Sequence, residues 1–482
     1  MKCIRRLLVC ICLFGLASLA HADDTRPNVV FILTDDQGYG DLSAHGNPVL
    51  KTPNLDRLRE QSARFSDFHV SPTCSPTRSA LLTGRHEFRN GVTHTILERE
   101  RLTLNATTLA QVLQKNGYRT GIFGKWHLGD EAAHQPGRRG FDEVFIHGAG
   151  GIGQSFPGSC GDAPGNTYFS PAILHNGTFE KTNGFCTDVF FRQATSWIES
   201  CARAPERRPF YAYIATNAPH APYTARPEDA ALYAGKVPSK DLAGFFGMIH
   251  NIDDNVGQLL KRLTALGLDD NTIVVFMNDN GSAAGASFYP AGMRGSKVTP
   301  YLGGTRACSF WRWKGRFLPV DHPELTAHID VFPTILDIAG IGVPNDCRDQ
   351  VEGLSLLPLL KGEKVTWPDR TLFTHVGRWP KGVEPSTWKD RGASVRTTPW
   401  HLVSTPTVVN GKATGTTWQL FDLTTDYAEA TDVAAQHPDV VDQLKTRFDA
   451  WWNDVRPMMV NEDAIGPAEN PYKTLYQAQF GR

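Results

Sequence analysis

Asn28-Val29-Val30-Phe31-Ile32-Leu33-Thr34-Asp35-Asp36 is an apolar run that ends on a hydroxyl and two adjacent carboxylates. From Val29 to Leu33 no polar side chain interrupts it. A strand with one solvated face would alternate, so this one reads as buried on both faces, as in a parallel sheet covered by helices. Open α/β sheets place their sites just past the carboxyl ends of strands. The position of Asp35 and Asp36 therefore carries as much information as their charge.

The same pattern recurs downstream. Tyr118 to Phe123 reads as a strand followed by Gly124-Lys125-Trp126-His127-Leu128-Gly129. Phe210 to Ala215 leads into Asn217-Ala218-Pro219-His220, and Thr272 to Met277 into Asn278-Asp279-Asn280-Gly281. Between them, Thr107 to Asn116 has helical periodicity ended by Gly117, and Val189 to Ser200 and Leu242 to Leu266 read as helices. The alternation predicts an α/β domain over residues 23–370, with a mostly parallel central sheet flanked by helices. One polar cluster after a strand is ordinary turn chemistry, but four after four strands point to a shared site. The glycine-rich stretch Gly148 to Gly165 is expected as a long loop near it.

From residue 371 the pattern changes. Arg391 to Thr405 and Thr417 to Asp422 read as antiparallel strands. Pro438 to Val455 is an amphipathic helix with Val441, Leu444, Phe448 and Trp451 or Trp452 inward. Residues 371–482 are expected to form a smaller α+β subdomain.

Bulk properties exclude some functions. The 482 residues hold 49 basic and 50 acidic side chains, a formal net charge of −1. That leaves no basic field for nucleic acid. Lys2, Arg5 and Arg6, the apolar stretch Leu7 to Ala20 and the small-x-small end Ala20-His21-Ala22 read as a secretory signal over residues 1–22. An exported chain, periplasmic or secreted and without stable membrane insertion, is expected. Three of nine cysteines lie in that leader, leaving Cys74, Cys160, Cys186, Cys201, Cys308 and Cys347. Cys160 with Cys186 is one plausible staple, though sequence alone does not fix pairing.

Asp35 and Asp36 repel one another without a cation, and Asp279 and Asn280 offer oxygens from another strand end. Four hard oxygen donors suit Ca2+, or Mg2+, better than zinc. A second chemical signal is Cys74-Ser75-Pro76-Thr77-Arg78-Ser79-Ala80-Leu81-Leu82-Thr83-Gly84-Arg85. Pro76 fits a first helical turn, and Arg78 falls on the same face as Cys74. A nucleophile, a cation and the positive end of a helix dipole thus converge on an anion-sized spot.

This run resembles the Cys-x-Pro-x-Arg motif of type I, formylglycine-dependent sulfatases, of alkaline phosphatase-like fold. Asp35 to Asp41, Gly124 to Gly129, Ala218 to Pro222, Asn278 to Gly281, Arg294-Gly295-Ser296-Lys297 and Ile329 to Thr334 resemble further segments of that family. The resemblance implies that Cys74 is oxidised by a formylglycine-generating enzyme and that its hydrated aldehyde attacks sulfur. It implies a metal held by Asp35, Asp36, modified Cys74, Asp279 and Asn280. It implies charge stabilisation by Arg78, Lys125 and Lys297, with His127 orienting or deprotonating the diol and His220 protonating the leaving group. The substrate expected from export is a sulfated carbohydrate.

Tyr301-Leu302-Gly303-Gly304 departs from the family, which often has a glutamate before these paired glycines. Phosphoesterases share strand-end metal architecture but usually carry Ser or Thr as nucleophile, and a glycan-binding protein lacking catalysis is a further alternative. His94, Glu98, Arg99, Trp311 and Trp313 are candidate borders of a sugar pocket.

Overall fold

A computed structural model describes residues 26–409 and 412–481, so the expected leader over 1–22 lies outside the described residues. Asn28–Thr34 is a strand buried along its whole length. Val29, Phe31 and Leu33 enter one apolar cluster, while Val30 and Ile32 enter another on the opposite face. The absence of alternation in the sequence has this cause: both faces of the sheet are covered.

Five strands lie side by side in the order Thr272–Asn278, Asn28–Thr34, Phe210–Ala215, Arg119–Lys125 and Glu143–His147, all parallel. The edges turn antiparallel, with Ser309–Arg312 on one side and Ala172–His175 on the other. The sheet has ten strands in all. Cys186–Arg203 and Lys240–Ala265 pack on one face. Cys74–Thr83, Leu109–Lys115 and Val331–Ile338 pack on the other.

The expected elements appear with adjusted ends. Leu109–Lys115 begins one residue after Thr108, whose side chain caps it in a capping box with Gln111. Arg391 to Thr405 is not one strand but two, Ala393–Arg396 and Trp400–Val409, paired antiparallel. With Leu372–His375 and Lys412–Asp422 they form a four-stranded sheet. The helix Pro438–Val455 lies against this sheet through Leu444, Phe448, Trp451 and Trp452.

The Cys160–Cys186 staple does not form. All six cysteines among the described residues are free and buried. Cys160 places its sulfur 3.5 Å from the carbonyl of Thr95, whereas Cys186 begins the helix Cys186–Arg203. No helix among the described residues is long and apolar enough to cross a membrane.

Candidate active site

The four polar clusters meet because their strands are neighbours and parallel. Thr34, Lys125, Ala215 and Asn278 end adjacent strands on the same edge of the sheet. Asp35 and Asp36, Lys125 and His127, His220, and Asp279 and Asn280 therefore share one end. Cys74 arrives from above the sheet at the start of Cys74–Thr83, every residue of which is buried. Gly84, in the left-handed region at φ 72°, stops that helix.

The charges are paired residue by residue. Lys125 Nζ lies 2.6 Å from Asp35 Oδ2, and Lys297 Nζ lies 2.6 Å from Asp36 Oδ2. Arg78 donates to Asp279 Oδ2 from Nε at 3.1 Å and Nη2 at 2.7 Å, and from Nη1 to the Lys125 carbonyl at 3.3 Å. Asn280 Nδ2 donates to Asp36 Oδ1 at 3.1 Å. Asp36 and His127 hold positive φ angles of 68° and 59°. Left-handed backbone is costly for such residues and is tolerated here where it aims them at a common centre.

Charge balance stays incomplete. Burial pushes the Asp35 carboxyl up to about 7, with Lys125 opposing. Burial and the charge of Asp35 push Asp279 up to about 6. Burial also works against ionisation of Asp36, but Lys297, His220 and Lys125 hold its carboxyl well below the usual range. For Cys74, 2 % exposed, burial alone would raise the thiol, yet Lys125 and Lys297 bring it below its ordinary value.

The donor set fits a divalent cation. Asp35 Oδ1 and Asn280 Oδ1 are buried with no hydrogen-bond partner. Ligand atoms of Asp35, Cys74 and Asp279 all lie within 4.8 Å of one another. Oxygens orphaned in a dry site are costly unless something binds them, and hard oxygens suit Ca2+ or Mg2+ once an oxygen stands in place of the sulfur.

The two histidines present different tautomers. His127 Nε2 lies 2.7 Å from the Thr95 carbonyl, so it carries the proton and leaves Nδ1 as a buried lone pair. Burial and then the charge of Lys125 depress its basicity far below the ordinary value. His220 Nδ1 donates to the Ala221 carbonyl at 2.8 Å, and its Nε2 lies 3.7 Å from Asp36 Oδ2. Burial depresses its basicity while Asp36 opposes that shift. Gly150 and Gly151 close over both rings. A Cβ on Gly150 would sit 3.0 Å from His127 Cε1, and one on Gly151 would sit 2.7 Å from His220 Nδ1. At Gly151 and Gly150 the loop thus walls the site with no room for a side chain against His220 and little against His127.

Several expectations at the periphery need correction. Trp311 is fully buried in the central sheet opposite Val275. Trp313 bonds the Asp270 carbonyl, at the amino end of the strands and away from the site. Arg99 is buried, donating to the Trp379 carbonyl at 2.6 Å and pairing with Glu462 at 3.2 Å. Glu98 is buried, accepting the Gly466 amide and pairing with Lys381. His94 is half-exposed and joined to His127 through Thr95, whose amide donates to His94 Nδ1 and whose carbonyl accepts His127 Nε2.

Sequence reasoning missed the supports. Tyr168 Oη donates toward the carbonyls of Asn217 and His220, at 2.8 and 2.6 Å, fixing the His220 loop. Where the Tyr301 to Gly304 turn lacks its own glutamate, Glu429 accepts the Leu302 amide at 2.8 Å and pairs with His401 at 2.6 Å. No local pattern in the sequence announces either contact.

A family model described as sulfatase matches residues 27–341. A second, described as N-sulphoglucosamine sulphohydrolase, C-terminal, matches residues 290–453. The chain is 32% identical over 408 residues to the dog (Canis lupus familiaris) N-acetylgalactosamine-6-sulfatase, covering 77% of this chain and 72% of that one. It is 34% identical over 375 residues to human arylsulfatase A, covering 72% and 70%. Among solved structures, Ps i-CgsB in complex with k-i-k-neocarrahexaose superimposes with a TM-score of 0.75 at 26% identity, covering 93% of this chain and 94% of that one.

Proposed function

The chain belongs to the sulfatase family of sulfuric ester hydrolases, and from that premise we propose that it releases sulfate from carbohydrate sulfate monoesters through a formylglycine derived from Cys74. The observation that carries this reading is the convergence of Cys74 with three cations, buried Arg78 and Lys125 and half-buried Lys297, around the carboxylates at the ends of neighbouring parallel strands. A sulfate ester needs its oxygens neutralised while sulfur is attacked, and fixed cations in a dry site do that without reorganisation.

Oxidation of Cys74 would supply a hydrated aldehyde as nucleophile. Asp35, Asp36, Asp279, Asn280 and the oxidised Cys74 would hold a divalent cation, Ca2+ or Mg2+, which supplies Lewis-acid charge to the sulfate. Arg78 is held by Asp279 and Lys125 by Asp35, so both cations keep one position through the reaction. As the bond from sulfur to the sugar oxygen breaks, His220 in its protonated form gives Nε2–H to the departing oxygen, with Lys297 close by. Nδ1 of His127 accepts a proton as sulfate leaves.

Export to the periplasm or medium follows from the leader over 1–22. Because Cys74–Thr83 is wholly buried, a maturation enzyme reaches Cys74 before folding is complete. The test is sulfate release from defined sulfated mono- and oligosaccharides by protein co-expressed with a formylglycine-generating enzyme. 4-Nitrophenyl sulfate and phosphate and the Cys74→Ser variant serve as controls. Sulfate release lost in the variant supports the reading. Hydrolysis of the phosphate ester alone would replace it with a phosphoesterase.

A further inference from the structure

Thr95 ties three residues together. Its carbonyl accepts His127 Nε2 at 2.7 Å. Its amide donates to His94 Nδ1 at 2.7 Å. Its hydroxyl accepts Arg378 Nη2 at 3.1 Å. Arg378 comes from the segment that follows Leu372–His375 in the small sheet, almost three hundred residues downstream. It is thereby placed one residue from a histidine of the site.

Arg378 is unlike its neighbours. Arg99 is matched by Glu462 and Arg101 by Glu131, but among the described residues Arg378 forms no ion pair. Its Nε is buried without a hydrogen-bond partner. Its backbone sits in the left-handed region at φ 62°, next to Gly377 at φ 66°. The Arg378 amide donates to the Thr93 carbonyl at 3.2 Å, which fixes that conformation. A half-buried guanidinium whose accessible Nη1 makes no hydrogen bond and meets no carboxylate among the described residues, held in strained backbone, is a group kept for something outside the chain. His94 complements it. Its Nδ1 is an acceptor for the Thr95 amide, so Nε2 carries the proton and is a donor. Burial, with the charges of Arg99 and Arg378, keeps the ring neutral, pushing it down to about 3.

We propose that Arg378, with His94, binds a second anionic group on the sugar substrate, next to the sulfate that is cleaved. The guanidinium fork suits either a further sulfate ester or the carboxylate of a uronic acid. This inference rests on the sulfatase reading and deepens it. The small sheet contributes specificity, and the parallel sheet contributes the chemistry.

The test compares matched sugars: one singly sulfated, one with an added sulfate, one with an added carboxylate. kcat and KM are measured for formylglycine-containing wild type, Arg378→Asn, Arg378→Lys and His94→Gln. Asn tolerates left-handed backbone, and thermal unfolding checks each variant's fold. Wild type should favour at least one doubly anionic sugar in kcat/KM by roughly 10- to 100-fold, the span of one charge-assisted hydrogen bond, mainly through KM. Arg378→Asn should bring that ratio close to one, Arg378→Lys should recover part of it, and His94→Gln should reduce it less. Whichever added group carries the preference identifies the anion. Sulfate release with no preference, or a preference kept in Arg378→Asn, would overturn this inference alone. Release from no sugar and no aryl sulfate would overturn the sulfatase reading with it.

Discussion

Two sets of buried carboxylates lie near the carboxyl end of the sheet, and they are neutralised in opposite ways. Asp35, Asp36 and Asp279 face Lys125, Lys297 and Arg78, each pair within hydrogen-bond reach. Glu100, Asp130 and Asp162, under and within the glycine-rich loop, meet mostly neutral donors. Ser159 donates to Glu100, the Gly161 amide and Asn470 to Asp130, and the Gly153 and Ala163 amides and Asn166 to Asp162. The nearby Arg101 is taken by Glu131. Burial and the charge of Asp130 raise Glu100 well above the carboxylate range, and burial pushes Asp130 up to about 7 and Asp162 up to about 6. The first set is faced by fixed cations at the centre of the site. The second set is met by hydroxyl and amide donors and supports the loop that walls the site.

Removing metal separates the two sets most sharply. Dialysis of converted enzyme against a strong chelator should lower sulfate release by about 100-fold or more, recovered by Ca2+ or Mg2+. Circular dichroism of the loop-bearing domain should stay native, because the second set does not depend on a cation. Undiminished turnover in metal-depleted protein would break the contrast.

Lys125→Met tests the cation side. It leaves Asp35 buried without its partner, so stability should fall by about 3 kcal/mol or more, read by urea unfolding. Turnover should fall roughly 10²- to 10³-fold in addition. A variant as stable and active as wild type would show that Lys125 is not needed to balance Asp35.

The proton side has the smaller effect and the opposite sign. In the folded chain Asp130 keeps its proton up to about 7, while an unfolded aspartate loses it near 3.8. Between these values the folded state binds more protons, so stability falls as pH rises through that window. Glu100→Gln keeps the shape of the group and removes its need to take up a proton on folding. Thermal unfolding should show a gain on the order of a few degrees at pH 8 and almost none at pH 4. An equal change at both pH values would show that Glu100 acts through packing alone.

The contrast also marks what was legible in the sequence. Strands buried on both faces announce themselves by missing alternation, and polar residues at their ends inherit a position from the sheet. Hence Asp35, Lys125, His220 and Asp279 read as a group. Glu100, Asp130 and Asp162 belong to three separate loops with no shared spacing, so nothing local signals that they meet. The sequence offers Trp311 as a candidate border of a sugar pocket, whereas its register opposite Val275 places it in the core. The Cys160–Cys186 pairing failed because chain separation says nothing about where two sulfurs lie. Arg378 was invisible for the same reason, since only the fold brings it to Thr95.

The most direct test is the mass of the peptide containing Cys74, measured on preparations whose turnover is known. Aldehyde at position 74, in a fraction that tracks sulfate release and with no release from Cys74→Ala, is the expected result. Full turnover from protein carrying only the thiol would contradict Cys74 as the modified nucleophile.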